Sequence, residues 1–194
     1  MNTQAMNITV REQGQTIVLP LDVPKIVVTF EADTSAAISY SVLPDVSVDQ
    51  EISLIFQGDR SSGEFTGVLE ATGSSVVKMR LIIAHSGKDT DCLAEMRGVG
   101  SGTALIDCRG VIQIQPGATG TDTLYRADFL KDTGTAQVMA IPALEIHESN
   151  IVQASHGVSV GHVDYNQVYY MQARGMSPEL ARATLLNTFL GKTT

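Results

Sequence analysis

The chain has 194 residues, a formal charge of −8, 43% apolar and 18% charged residues, 17 glycines and no tryptophan. That length accommodates one domain, or one domain with a helical appendix, and the apolar fraction excludes an intrinsically disordered chain. An acidic protein with no basic run is not built to attract nucleic acid or an anionic membrane.

The amino-terminal stretch MNTQAMNITVREQG has neither a basic n-region nor an apolar h-region, so no secretory signal is expected. The longest apolar runs, such as Ile17 to Leu21 and Leu81 to Ala84, fall far short of a membrane span, and the cytoplasm is the expected compartment. From Ile8 to Val163, strand-like runs alternate with polar turns: ITV, TIVLPL, KIVVTF, AAISYSV, EISLIF, FTGVLEA, VVKMRLIIA, TALID, GVIQIQ and VQASHGVSV. Turn-formers such as Gln13-Gly14, Gln57-Gly58-Asp59, Thr72-Gly73-Ser74 and Ser86-Gly87-Lys88 separate them. Many short, evenly spaced strands predict a sandwich, a barrel or a β-helix. The missing two-residue Asn-Gly or Asp-Gly hairpins and the small or β-branched alternating residues favour the β-helix, although no strict repeat is visible.

Strand-like sequence gives way to helix-like sequence between Ile141 and Gly175, and three of the four histidines fall there. Asp164 is placed to cap a helix, with Gln167 positioned for a capping box, and Val168, Tyr169 and Met171 follow at helical spacing. Ser177-Pro178-Glu179 starts a second helix that runs to about Leu190. Its apolar stripe is Ala181, Leu185 and Phe189, widened by Leu186 and Leu190, and Gly191 ends it. The expected organisation is therefore mainly β, a β-helix (solenoid) core over 1–163 followed by a helical segment over 164–194. A solenoid leaves its last strands unpaired, which invites a second copy onto the terminal coil.

Three blocks carry a family resemblance: Pro142-Ala-Leu-Glu-Ile, Ser155-His-Gly-Val-Ser-Val-Gly161 and Tyr169-Tyr-Met-Gln-Ala-Arg-Gly175. In this order and spacing they resemble the C-terminal signature of the SufB/SufD family, scaffold proteins of iron–sulfur cluster assembly. The resemblance covers the C-terminal half most fully, extending upstream through Arg109-Gly-Val-Ile-Gln-Ile-Gln and Thr121-Asp-Thr. It implies a β-helix followed by helices, a transient iron–sulfur cluster as cargo, and an ABC-type ATPase of the SufC kind docked on the helical tail. It also implies a dimer, either a homodimer or a heterodimer with a SufB-type protein. SufB-type members carry a cysteine in a Gln-Cys-Asp block where this chain reads Arg126-Ala127-Asp128, which makes the chain SufD-like. The long N-terminal region of typical members has no counterpart in the resemblance.

His156, between Ser155 and Gly157, has room for its imidazole to meet a ligand, and a neutral imidazole binds iron. The resemblance places it at the histidine implicated in cluster assembly in SufD-type members, while the residues alone leave open a turn histidine bonded to backbone. Cys92 and Cys108 are the only thiols. One chain cannot supply four thiolates, so they would serve as metal ligands only shared between two chains or mixed with His85, His147 or His162. Otherwise each is a small buried hydrophobe, and in the cytoplasm a free thiol. Tyr169, Tyr170, Arg174 and Gly175 form the candidate partner-binding group, an aromatic and guanidinium anchor beside a helix end. The competing reading is that the tyrosines pack the helix onto the last coil.

Two nucleotide-site patterns fail their context. Gly98-Val-Gly-Ser-Gly102 is followed by strand-like TALID, and Gly191-Lys192-Thr193 has Leu186 where a phosphate-binding loop needs its first glycine. Asp107 with Arg109, or Glu145 with His147, read equally as acid–base pairs or as a solvated strand face. The expected protein is a non-enzymatic scaffold. A structural solenoid adaptor is the alternative, and a polysaccharide-acting β-helix enzyme is disfavoured by an aromatic fraction of 5% without tryptophan.

Overall fold

A computed structural model describes residues 5–192. Twelve strands precede two helices: β1 (Met6–Val10), β2 (Gln15–Val18), β3 (Lys25–Phe30), β4 (Ser35–Val42), β5 (Val48–Phe56), β6 (Ser62–Ala71), β7 (Val76–His85), β8 (Asp91–Gly102), β9 (Leu105–Ile114), β10 (Asp122–Gly134), β11 (Gln137–Ile146), β12 (Gln153–His162), α1 (Tyr165–Ala173) and α2 (Pro178–Leu190). Odd strands form one six-stranded parallel sheet and even strands the other, each strand pairing with its counterpart one coil away. This is a parallel β-solenoid with a helical hairpin at its C-terminal end, the expected fold.

Alternation of side chains decides what lies between the sheets. In β7 the burial pattern is strictly alternating, with Val77, Met79, Leu81, Ile83 and His85 turned inward and Val76, Lys78 and Arg80 turned out. Parallel register puts like positions above one another: Ile26, Ile52, Leu81 and Gly110 form one column and Phe30, Phe56, His85 and Ile114 another. Within the second column, Phe30 and Phe56 stack at 4.3 Å between ring centroids, and His85 stacks on Phe56 at 4.8 Å. Outward columns carry charge instead, as where Glu51 lies between Lys25 at 2.9 Å and Arg80 at 3.5 Å.

The coils do repeat, at their corners. Asp33, Arg60, Asp89 and Gly120 all have left-handed backbone, with φ between 52° and 72°. Their N–H groups donate to the carbonyls of Asp59, Lys88, Thr119 and Asn150 one coil on, at 2.8–2.9 Å. Asp and Asn tolerate this conformation and glycine adopts it freely. Arg60 is held there by its fork onto Asp33. A buried hydroxyl follows each corner: Thr34, Ser61, Thr90 and Thr121. Three of the four donate to the carbonyl three residues back, at 2.7–2.9 Å. The period drifts from 27 residues between Asp33 and Arg60 to 31 between Thr90 and Thr121, which hides it from a search for a strict repeat.

Two strands, β8 and β10, go beyond the runs read from the sequence. In β8 the inward residues are Cys92, Ala94, Met96 and Gly98, small or flexible positions that carry no β-propensity signal. Gly98 to Gly102, the glycine cluster that imitates a dinucleotide loop, is the end of that strand. The runs TALID and GVIQIQ join into the single strand β9. β11 contains Pro142, which is tolerated because among the described residues β11 pairs only with β9.

Both helices start at the caps expected, although the Gln167 side chain makes no capping-box bond back to Asp164 among the described residues. Asp164 Oδ1 accepts from Asn166 N at 2.9 Å, and Ser177 Oγ accepts from Leu180 N at 3.2 Å with Pro178 in the first turn. Gly191 closes α2 at φ 73°. Thr193, the end of the apparent phosphate-loop pattern, lies outside the described residues.

Candidate functional site

Strand edges are unpaired among the described residues at two ends of the solenoid, β1 and β2 at one and the last coil, β11 and β12, at the other. Met139, Ile141, Ile146, Val152 and Val160 are large apolar side chains left exposed on or beside it. β12 pairs with β10 from Asp122↔Gln153 to Lys131↔His162, and its other edge is free among the described residues. An apolar, unpaired strand edge is a pairing surface unless something covers it.

His156 stands on this edge strand, in register with Tyr125 and exposed. It is a strand residue, and among the described residues its ring has no hydrogen-bonded protein partner. A shallow cleft beside it is lined by Leu124, Arg126, Asp128, Gly157, Val158 and Ser159. Arg126 Nε donates to Asp128 at 2.8 Å and Ser159 Oγ donates to the same carboxylate at 2.6 Å. Gly157, the neighbour of His156 on the opposite face of the strand, has open space where a Cβ would stand.

The cysteines are placed differently. Cys92 on β8 and Cys108 on β9 both point into the interior and are fully buried free thiols. Burial pushes the Cys108 thiol up to about 11 and the Cys92 thiol higher still. A thiol ligates metal as thiolate, and burial disfavours that form at both positions, where the two side chains pack in the core as small hydrophobes. Cys108 Sγ lies 3.5 Å from Tyr125 Oη, whose strand neighbour is His156. Among the described residues, no group of three or more His, Cys, Asp or Glu side chains is arranged to hold a metal ion.

The remaining histidines do not converge on His156. His85 is buried in the aromatic stack, His147 follows β11 and donates its backbone N–H to Ile114, and His162 ends β12. The Asp107 and Arg109 pair is an outer-face ion pair, the guanidinium reaching both carboxylate oxygens at 3.0 Å, which fits the solvated-face reading.

On α1, Tyr169 is 67% and Tyr170 62% exposed, so they do not serve to pack the helix; Val168 does that. Arg174 lies over the Tyr170 ring at 5.0 Å and donates to its hydroxyl at 2.7 Å. Gly175 follows at φ 93° and turns the chain toward α2. The cation–π pair thus stands preformed on an exposed helix end. Tyr125, and an Asp132–Arg182 pair between β10 and α2, escaped the sequence reading. The only signal for the pair was the polar break Lys131–Gly134 at the end of an apolar run.

The described chain is thus a parallel solenoid with an exposed histidine on its terminal edge strand and a helical hairpin bearing an exposed tyrosine–arginine pair. Residues 25–189 match the family model described as "SUF system FeS cluster assembly, SufBD core domain", and the chain belongs to the SufB/SufD family. It is 30% identical over 144 residues to an iron–sulfur cluster assembly SufBD family protein of Mycobacterium leprae, covering 71% of this chain and 37% of that protein. It is 29% identical over 133 residues to the iron–sulfur cluster assembly protein SufD of Bacillus subtilis, covering 69% and 30%. A chloroplastic SufBD family protein of Arabidopsis thaliana is 25% identical over 137 residues, covering 71% and 24%. The chain thus spans between about a quarter and somewhat over a third of these relatives' lengths. No helix among the described residues is long and apolar enough to cross a membrane.

Proposed function

We propose that this chain is a SufD-like scaffold of iron–sulfur cluster assembly, working in the cytoplasm as a dimer with a SufC-like ABC-type ATPase. The observation that carries the reading is His156 exposed on the unpaired edge of the terminal coil, where a second chain's edge would bring further ligands within reach of a transient cluster. The exposed apolar residues of the same coil supply the pairing surface, for a second copy or a SufB-type partner. With Ala127 inward and fully buried at the position of the SufB-type cysteine, the imidazole is the group offered to iron.

Tyr169, Tyr170, Arg174 and Gly175 form the ATPase-docking group. Arg174→Glu removes the guanidinium from the Tyr170 ring and reverses the charge at an exposed helix end. Loss of such an anchor costs about 2 kcal/mol of binding or more. The complex should therefore weaken at least tenfold by calorimetric titration while the melting temperature stays put; unchanged affinity removes the docking assignment.

The deciding experiment is His156→Ala in a strain co-expressing the ATPase, purified anaerobically. Removing an exposed ring should leave folding, dimer mass by light scattering and ATPase retention intact, yet lower iron and sulfide per complex severalfold. A purely structural histidine gives the opposite pattern, with a lower melting temperature and normal iron in the folded fraction.

A further inference from the structure

The hairpin of α1 and α2 is joined to the solenoid by few apolar contacts. Its buried residues are Val168, Ala181 and Leu190; Val168 and Ala181 pack with Val163 and Leu130 of the solenoid end and with Met171, Leu185 and Leu186 as a cluster separate from the solenoid core. Charge does much of the remaining work, at both ends of α2. Near the start, Arg182 Nε donates to Asp132 Oδ1 at 2.7 Å and a second guanidinium nitrogen meets the other carboxylate oxygen and Thr133 Oγ1. At the far end Lys192 pairs with Glu70, and Arg97 Nη1 donates to the Phe189 carbonyl at 3.5 Å.

Asp132 is the unusual member. Its side chain is 5% exposed against 37% for Arg182, so it is a carboxylate held out of water by a guanidinium that is not. It owes its position to an irregularity: the register of β10 against β8 shifts between Lys131 and Gly134. Such bulges bend a strand and re-aim its side chains. A buried carboxylate is tolerated only while paired, and undocking the hairpin would return both charges to water.

We propose that α1–α2 is a lid that opens from the solenoid as one unit while the solenoid stays folded, and that Asp132–Arg182 is its latch. The small satellite cluster and the reliance on two ion pairs, Asp132–Arg182 and Lys192–Glu70, make it the low-stability unit of the fold. Opening uncovers Leu130 and Val163, at the ends of β10 and β12 remote from the corner at Thr121. The lid needs no ATPase or cluster, so its test is independent of the assembly role.

Hydrogen exchange of the whole chain, read by mass spectrometry, decides it. In the wild type, amides of 165–190 should exchange faster than those of β5 to β9, and faster still as sodium chloride rises from about 0.05 to about 1 M and screens the outer pairs. Asp132→Asn should accelerate the hairpin by about tenfold or more, the response to losing one charge-assisted pair, with β5 to β9 unchanged. Arg182→Gln should act alike, and the swap Asp132→Arg with Arg182→Asp should recover part of the protection. Hairpin and solenoid exchanging together in the wild type would overturn the lid without recourse to any variant. An Asp132→Asn hairpin as protected as the parent's, or a solenoid that loosens with it, would overturn the latch.

Discussion

Gly110→Ala is expected to destabilise the protein by about 2–4 kcal/mol, the range for overpacking plus displaced core aromatics. Gly110 is buried on β9, and a Cβ there would fall 2.1 Å from a ring carbon of Tyr125 and 2.4 Å from the next. The missing side chain is the space through which Tyr125 crosses from β10 toward Cys108. Strand propensity predicts the reverse sign, because replacing a strand glycine by alanine ordinarily gains up to about 1 kcal/mol. Gly157→Ala supplies the comparison: it too is a strand glycine, but nothing lies within 4 Å of its would-be Cβ, and its stability should be unchanged or slightly raised. Urea denaturation measures both. Gly110→Ala combined with Tyr125→Leu should recover part of the loss, since the two changes share one space. A neutral Gly110→Ala would show that the ring has somewhere else to go.

The second large effect is on acid stability. His85 is fully buried, stacked on Phe56, and burial lowers its pKa from the ordinary 6.5 to about 4. Thr121 donates to the Ala118 carbonyl, and His85 Nδ1 lies 2.8 Å from the Thr90 hydroxyl. Among the described residues Nε2 has no protein partner, so nothing in the core is placed to compensate a second ring proton. The folded state therefore holds the neutral ring, while the unfolded chain takes up a proton first as pH falls. Stability from this group is fully present above about pH 6.5, declines below it, and is gone below about pH 4, a loss of about 3 kcal/mol. His85→Phe continues the Phe30–Phe56 stack and removes the titration. Between pH 7 and pH 4.5 the wild type should lose about 2–3 kcal/mol more than this variant. Equal slopes for the two would mean that the buried ring does not control acid unfolding.

The stack containing His85 also shows why a local reading falls short. In the sequence, KIVVTF, EISLIF and VVKMRLIIAH are three separate alternating runs, and alternation suffices to assign their faces. That Phe30, Phe56 and His85 share one column depends on coil lengths that drift by a few residues, and the corners that set those lengths carry Asp, Arg, Asp and Gly with no common identity. β8 was missed for a related reason. Its inward Ala94, Met96 and Gly98 leave room for rings from neighbouring strands, Phe129 against Gly98 among them, and such complementarity is invisible until the rings are placed. In β10 the inward Tyr125 and Phe129 alternate with Leu, Arg and Asp and were legible in principle.

Much of this protein was determined locally. The strand periods, the absence of tight hairpins, the caps at Asp164 and Ser177 and the stop at Gly191 depend on neighbours within a few residues, and they hold in the folded chain because short-range sterics and hydrogen bonding decide them. The family blocks around His156 and Arg174 were legible for the same reason, being short and contiguous. The tertiary structure decided what depends on distant partners: the burial of Cys92 and Cys108, the exposure of His156 on a strand edge, the burial of His85 in the aromatic stack and the meeting of Asp132 with Arg182. Each of these depends on which surface covers which, across a coil repeat of about thirty residues or across the 50 residues between Asp132 and Arg182, separations over which one-dimensional pattern carries no information about contact.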